Sequence, residues 1–310
     1  IFCSELNPIR KIYKNNLKIN KKALSLYTQY GYVPTPYSIY EEIYKLEAGT
    51  YIEVIKKTKN FKINKKQKFF NPKNKYFDLK NSNTSIENIH QNLINSVSEK
   101  LVADVPVGVF LSGGVDSSLI ASIAQKTYYE KYGKSIKTFT IGFKNKKYDE
   151  SIYANKIATY LKTDHHQEIL GKSDILDIIP KIQNMHGEPF ADYSNIPTFL
   201  VSKLAKKNVK VALSGDGGDE LFGGYVRYFY AEKINSLKNY FSPRFLTIIK
   251  KIILSIHPVF YDKIYNLLSS TILKNKISFV GDKIHKFGKV IDSKSEKKIY
   301  FKILNLWENC

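Results

Sequence analysis

Val105-Pro-Val-Gly-Val-Phe110 is an apolar run of the kind that forms a buried parallel strand, and it feeds directly into Leu111-Ser-Gly-Gly-Val-Asp-Ser-Ser118. Behind that octet come Leu119, Ile120, Ala121, Ile123 and Ala124, which spell the opening of a helix. A strand, a Ser/Gly turn and a helix in succession commit the chain to an α/β unit whose first turn is an anion cradle. Gly113 and Gly114 let the backbone approach an anion closely. The hydroxyls of Ser112, Ser117 and Ser118 and the first amides of the helix supply donors at its positive end. Asp116 sits inside this cradle, where a carboxylate repels phosphate unless a divalent cation lies between them. The octet therefore points to magnesium together with a nucleotide.

The rest of the chain fits the same architecture. Strand-like segments at 136–143, 165–170 and 209–213 alternate with helical patterns at 149–161, 174–185 and 195–205, the last with Pro197 tolerated in its first turn. Strands alternating with helices predict a doubly wound parallel sheet with its ligand across the carboxyl ends of the strands. A helix from Ser85 to Leu101 precedes it, with Ile89, Leu93, Val97 and Leu101 on one face. Upstream, residues 1–6 read as a strand, 23–30 as a short helix and 46–54 as a turn into an edge strand. This part is too short to close a core alone. The Lys- and Asn-rich stretch that follows reads as an exposed connector, and from Tyr225 onward the chain reads as helical.

Ser214-Gly-Asp-Gly-Gly-Asp-Glu-Leu-Phe-Gly-Gly224 follows the last strand as Ser112 follows the first. Its glycines let the backbone wrap a ligand, and Asp216, Asp219 and Glu220 supply carboxylates. If both loops leave one edge of the sheet, Asp116 and Asp219 can share one Mg²⁺ through the oxygen ligation that this ion prefers. That ion would neutralise a departing pyrophosphate.

Composition excludes other classes. The 310 residues carry a formal charge of +21, but the 49 Lys and Arg are spread through every segment and are nearly all Lys. This reads as a solvated basic surface and not as a nucleic-acid footprint. Cys3 and Cys310 have no metal-ligand spacing. No apolar stretch is long enough to span a bilayer and no secretory signal precedes Ile1, so the chain reads as cytoplasmic, with no membrane partner. His165 and His166 have no acid or nucleophile spaced with them and read as packing or surface residues.

The octet matches neither the Walker nor the dinucleotide pattern and resembles the pyrophosphate loop of the ATP pyrophosphatases (adenine nucleotide α-hydrolase-like enzymes). Over nearly its whole length the chain resembles the glutamine-hydrolysing asparagine synthetases. The match is carried by Asp104–Ser118, by Glu188-Pro-Phe-Ala-Asp192 with Ile196-Pro197, and by Leu213–Tyr225 with Arg227. Phe2–Leu6, Tyr30–Pro36 and Leu46–Gly49 are similar to the end of that family's N-terminal-nucleophile glutaminase domain. The resemblance implies a glutaminase remnant over 1–56, a linker over 57–83 and a synthetase domain over 84–310.

It further implies a ligase of asparagine biosynthesis. Aspartate is adenylated on its side chain with loss of pyrophosphate, and ammonia from glutamine displaces AMP. Ser112, Gly113, Gly114, Asp116, Ser117 and Ser118 would grip the pyrophosphate. Main chain at Phe110, Leu111, Ile141 and Gly142, with Ser214 and Gly215, would clasp the adenosine. Asp116 and Asp219 would hold Mg²⁺. Asp216 would be the catalytic acid at the adenylate, where many relatives carry glutamate. A homodimer is compatible with the resemblance.

Cys3 is not the glutaminase nucleophile of the family, and the family's synthetase domain runs on past Cys310 with a lysine that acts on the adenylate. The polypeptide alone is therefore expected not to hydrolyse glutamine and to be impaired in synthesis. From Gln183 to Ser202 there is no Lys or Arg to receive the α-carboxylate of aspartate, which leaves Arg227 or a segment beyond the chain. Three alternatives stay open: an amidotransferase acting on another carboxylate, such as a surface-polysaccharide uronic acid; another pyrophosphate-loop ATPase; and an inactive fragment serving as a binding module.

Overall fold

The computed structural model describes residues 1–14, 16–57, 60–71, 85–146, 149–182, 184–272 and 279–307. The chain divides into two compact units, Ile1–Asp216 and Gly217–Cys310.

The first unit opens with helices α1 (Leu6–Ile12) and α2 (Lys21–Tyr30). Residues 1–5, expected to begin a strand, are not one: among the described residues no strand pairs with them, and an unpaired ladder of N–H and C=O groups gains nothing by being extended. Helix α2 starts where Asn20 accepts the Ala23 N–H at 3.1 Å and stops at Gly31, whose φ of +81° suits glycine. Ala23, Val33 and Ile39 close a small core under Tyr27, Tyr37 and Tyr40. Strands β1 (Thr50–Lys56) and β2 (Phe61–Lys68) then pair antiparallel. The expected connector is thus paired over Phe61–Lys68, although exposed as a connector would be. Its part from residue 72 on lies outside the described residues.

Helix α3 (Ile86–Lys100) begins on Ser85, which accepts the Asn88 N–H at 3.2 Å. There follow β3 (Val107–Phe110), α4 (Val115–Tyr132), β4 (Lys137–Phe143), α5 (Ser151–Leu161) and β5 (Asp164–Leu170). The helix expected over 174–185 is two short ones, α6 (Lys172–Leu176) and α7 (Ile179–Ile182). Pro180 has no N–H to donate and its ring blocks a continuous helix. Helix α8 (Asn195–Ala205) and β6 (Val211–Leu213) complete the series.

The four strands form a parallel sheet in the order β5-β4-β3-β6. Alternation along β3 decides which side each residue faces. Val107 and Val109 join Ala121 and Ala124 of α4, Ala154 and Ala158 of α5, and Val97 of α3 on one face. Phe110, with Phe139 and Ile141 of β4, joins Leu204 and Ala205 of α8 on the other. The sheet is doubly wound, as expected. Gly108 makes the strands' approach possible, since a Cβ there would lie 2.6 Å from the Phe139 ring. The chain moves from β3 to β4 and β5 on one side and returns to place β6 on the other, so the order reverses at β3, where such folds hold their ligands.

The second unit is helical: α9 (Gly218–Phe222), α10 (Val226–Ser236), α11 (Pro243–Ser255), α12 (Pro258–Ile272), α13 (Val280–Val290) and α14 (Glu296–Leu304). Its core gathers Ala231, Ile234, Val290 and Ile299. Lys250 reaches Asp292 at 2.9 Å. Among the described residues no helix is long and apolar enough to cross a membrane.

Candidate functional site

Strands β3 and β6 are parallel neighbours, with Val109 opposite Leu213, so the loops that follow them leave the sheet at one edge. Leu111 is buried and donates its N–H to the Phe139 carbonyl at 2.9 Å, while the Thr140 hydroxyl donates to the Leu111 carbonyl. The start of the turn is thereby fixed to β4. Gly113 follows with φ +85°, and a Cβ there would come within 2.7 Å of the Ala154 N and 2.8 Å of the Tyr153 Cβ, both on α5. Only glycine meets both demands.

The serines shape the turn as well as lining it. Ser117 is buried; its hydroxyl accepts the Ser112 N–H at 3.2 Å and lies 2.9 Å from the Ser112 hydroxyl. Ser118 donates to the Gly114 carbonyl at 2.6 Å. Ser112 accepts the Gly114 N–H at 3.3 Å and is exposed. Gly114 is the N-cap of α4, and among the described residues no side chain caps that helix, so its first-turn amides are not spent on a capping side chain. An anion fits there on both counts, open N–H groups and the positive end of an eighteen-residue helix. Asp116 is half-buried in that first turn.

The second loop packs directly on the first. A Cβ on Gly215 would lie 2.7 Å from the Ser117 N and 3.0 Å from the Asp116 carbonyl carbon and Cβ. Backbone therefore meets backbone with no room for a side chain. The Ser214 hydroxyl donates to Asp216 at 2.9 Å and holds that exposed carboxylate over its own loop. Thus Phe110 to Ser118, Ile141, Gly142 and Ser214 to Asp216 all lie at or beyond the carboxyl ends of three adjacent strands. Ile141 is turned into the core by its side chain, leaving only its main chain to contribute at this edge.

Asp219 belongs to the second unit, in the first turn of α9, with its carbonyl accepting the Gly224 N–H at 3.0 Å. Nearby, Tyr225 donates to Glu220 at 2.7 Å, which pulls the Glu220 carboxyl below its usual range and pushes the Tyr225 phenol up to about 12. Arg227 stacks over the Tyr225 ring at 4.1 Å. The cation weighed from sequence for an acceptor carboxylate is thus half-buried against an aromatic face.

Three structural roles have no local signal in the sequence. Asp149 accepts the N–H groups of Ser151 at 3.1 Å and Phe143 at 3.3 Å, staples the turn after β4, and has its carboxyl held low chiefly by Ser151. Gly142 is walled in by Ile169, Ser151 and Asp149. Glu188, quoted in a matching motif without a role, accepts the Ile39 N–H at 3.1 Å and pairs with Lys45, while Ala191 donates to the Gly31 carbonyl at 2.7 Å. It anchors the N-terminal segment to the loop before α8. An acid beside Pro gives no local signal of a partner 149 residues away.

His165 and His166 pack on β5, but the expectation that no acid pairs with them fails for His166, whose Nε2 lies 3.3 Å from the Asp164 carboxylate. The Nδ1 of His165 lies 2.8 Å from the Thr138 hydroxyl, its Nε2 is buried without a partner among the described residues, and burial followed by the His166 charge lowers its pKa. His166 stacks on Phe139 with ring centres 5.3 Å apart.

A family model described as asparagine synthase matches residues 88–307. A putative asparagine synthetase [glutamine-hydrolyzing] 2 of Methanocaldococcus jannaschii is 37% identical over 254 residues, covering 80% of this chain and 47% of the relative. Asparagine synthetase [glutamine-hydrolyzing] 1 of Bacillus subtilis is 33% identical over 232 residues, covering 73% and 34% respectively. The chain spans less than half the length of either curated relative. A solved NH3-dependent NAD synthetase of Campylobacter jejuni shows a TM-score of 0.33 at 16% identity, covering 71% of this chain and 96% of its own, too distant to bear on function.

Proposed function

The chain belongs to the asparagine synthase family, and on that premise we propose that it carries the ATP-dependent half of an amide-forming ligase. In this reading ATP adenylates the side-chain carboxylate of aspartate, pyrophosphate leaves, and ammonia derived from glutamine displaces AMP to give asparagine. The observation that supports it most is the backbone contact of Gly215 with Asp116 and Ser117 at the edge where the sheet order reverses. Two loops in such contact form one cradle, and a nucleotide can be held by both.

Each residue then has a part. The first-turn amides of α4, with Gly113, Gly114 and Ser112, bind the pyrophosphate oxygens. Ser117 and Ser118 keep the turn in shape through hydroxyls held by Ser112 and by the Gly114 carbonyl, and Ser117 adds its main-chain N–H to the cradle. The main chain of Phe110, Leu111, Ile141, Gly142, Ser214 and Gly215 holds the adenosine by shape and hydrogen bonds. Asp216, oriented by Ser214, acts where the carboxylate meets the α-phosphate. The oxygen donors of Asp116 and Asp219 suit Mg²⁺, which when bound neutralises the leaving pyrophosphate. Holding both reactants in line supplies part of such a rate enhancement.

The test is calorimetry of Mg·ATP with the chain and with Asp116→Asn, followed by detection of pyrophosphate released with aspartate, uronic acids or no acceptor. Saturable Mg·ATP binding that Asp116→Asn weakens, with pyrophosphate release raised by aspartate, supports the reading. Nucleotide binding indifferent to Asp116 contradicts it, and stimulation by a uronic acid alone moves the acceptor to that class.

A further inference from the structure

A cavity of about 630 Å³ opens in the first unit, lined by Asn7, Arg10, Lys11 and Lys14 from α1 and the turn after it, with Leu17, Tyr40 and Asn184. None of these residues belongs to the nucleotide loops. The volume suits a small molecule. Its wall is cationic on one side, and among the described residues none of Arg10, Lys11 and Lys14 has an ion-pair partner.

Two observations separate this cavity from the basic surface that a chain of charge +21 shows elsewhere. The first is concavity, with Tyr40 and Leu17 contributing apolar surface beside the cations. The second is a hydrogen-bonded relay that starts at the guanidinium. Arg10 donates to the Asn7 side-chain oxygen at 3.4 Å, and the Asn7 amide donates to the Asn184 carbonyl at 3.0 Å, across 177 residues of sequence. Both ends of the Asn7 amide are thereby spent on holding Arg10 and on tying α1 to the loop that leads to Glu188. An arginine held by one donor keeps the rest of its fork for planar oxyanion recognition.

We infer that this cavity binds a small molecule bearing a phosphate group or clustered carboxylates, recognised by Arg10 with Lys11 and Lys14. Because Asn184 forms part of the lining, an occupant bridges α1 and the loop before α8. It would tighten the docking of the N-terminal segment that Glu188 maintains.

The experiment titrates the 310-residue chain at low ionic strength with inorganic phosphate, pyrophosphate and citrate, and maps hydrogen exchange across the chain. Binding is expected with protection over 6–14 and at 184; citrate binding more tightly than phosphate assigns the carboxylate class, and the reverse order the phosphate class. Arg10→Glu with Lys14→Glu, both exposed and so compatible with folding, should weaken binding roughly tenfold or more while Mg·ATP binding is unchanged. Asn7→Ala removes no charge yet should weaken binding severalfold, which a merely basic surface would not show. Unchanged affinity in the charge-reversed variant, an indifferent Asn7→Ala, or protection spread evenly over surface lysines would each overturn the inference.

Discussion

Gly215→Ala isolates the contact on which the account depends. Its φ lies outside the left-handed region, so the substitution imposes no backbone strain of its own. What it adds is a methyl group 2.7 Å from the Ser117 N and 3.0 Å from the Asp116 carbonyl carbon. Ordinary contact begins near 3.4 Å, so one loop must retreat from the other by about 0.7 Å. The neighbours are backbone atoms at the start of α4 and cannot swing aside. Forced overpacking of this size costs about 1–3 kcal/mol. If the nucleotide is held by both loops, the bound state must restore their spacing and bear that cost. Mg·ATP affinity should then fall by roughly 5- to 150-fold. Calorimetry of wild type, Gly215→Ala and Gly171→Ala measures it. Gly171 is the control, because a Cβ there meets nothing closer than 3.5 Å. Urea unfolding of the same proteins shows whether the cost falls on folding instead. A folded Gly215→Ala protein that binds Mg·ATP as tightly as wild type would refute the shared cradle.

Gly113→Ala combines a left-handed φ, about 1–2 kcal/mol for a residue with a Cβ, with a clash against α5, and should lower the urea midpoint clearly. Leu111→Ala empties a buried position at the base of the loop and should cost about 2–5 kcal/mol, read as a lower urea midpoint at unchanged slope. His165 has a lowered pKa when folded, so protons favour the unfolded chain. Its contribution is complete above the unfolded value near 6.5 and is lost as pH falls through the folded value; His165→Gln should flatten stability against pH in that window. Glu188→Ala leaves the Ile39 N–H and Lys45 without their carboxylate, costs about 1–3 kcal/mol, and should speed proteolysis between residues 31 and 45.

The part of the fold that could be read in advance is the part with a local signal. Val105 to Phe110 is apolar without interruption because β3 is covered on both faces, and the boundaries of α8 follow from Asn195 and Pro197 near its start. Signals that depend on a distant partner were not readable. Residues 1–5 have strand-like composition but, among the described residues, no strand beside them, and Phe61–Lys68 looks like a solvated connector because a two-stranded ribbon buries almost nothing. Pro180 is a legible breaker, and it divides the segment 174–185 into two short helices.

The site divides in the same way. Gly113 announces a turn, and Asp116 and the serines announce its chemistry, but the structural duty of Ser117 appears only when its hydroxyl is seen bracing Ser112. Gly215 is named from the resemblance as part of the adenosine clasp, but its packing against Asp116 and Ser117 appears only in three dimensions. Glu188 had no readable role because its partners, Ile39 and Lys45, sit in a segment that composition alone marks as separate.

Hydrogen exchange of the chain with and without Mg·ATP tests the central claim most directly, because it reports on both loops in one experiment. The account predicts that amides of 111–118 and 214–216 slow together, with the first turn of α4 most protected, and that Asp116→Asn diminishes both responses. Protection of one loop without the other, or of neither while ATP is bound, would contradict it.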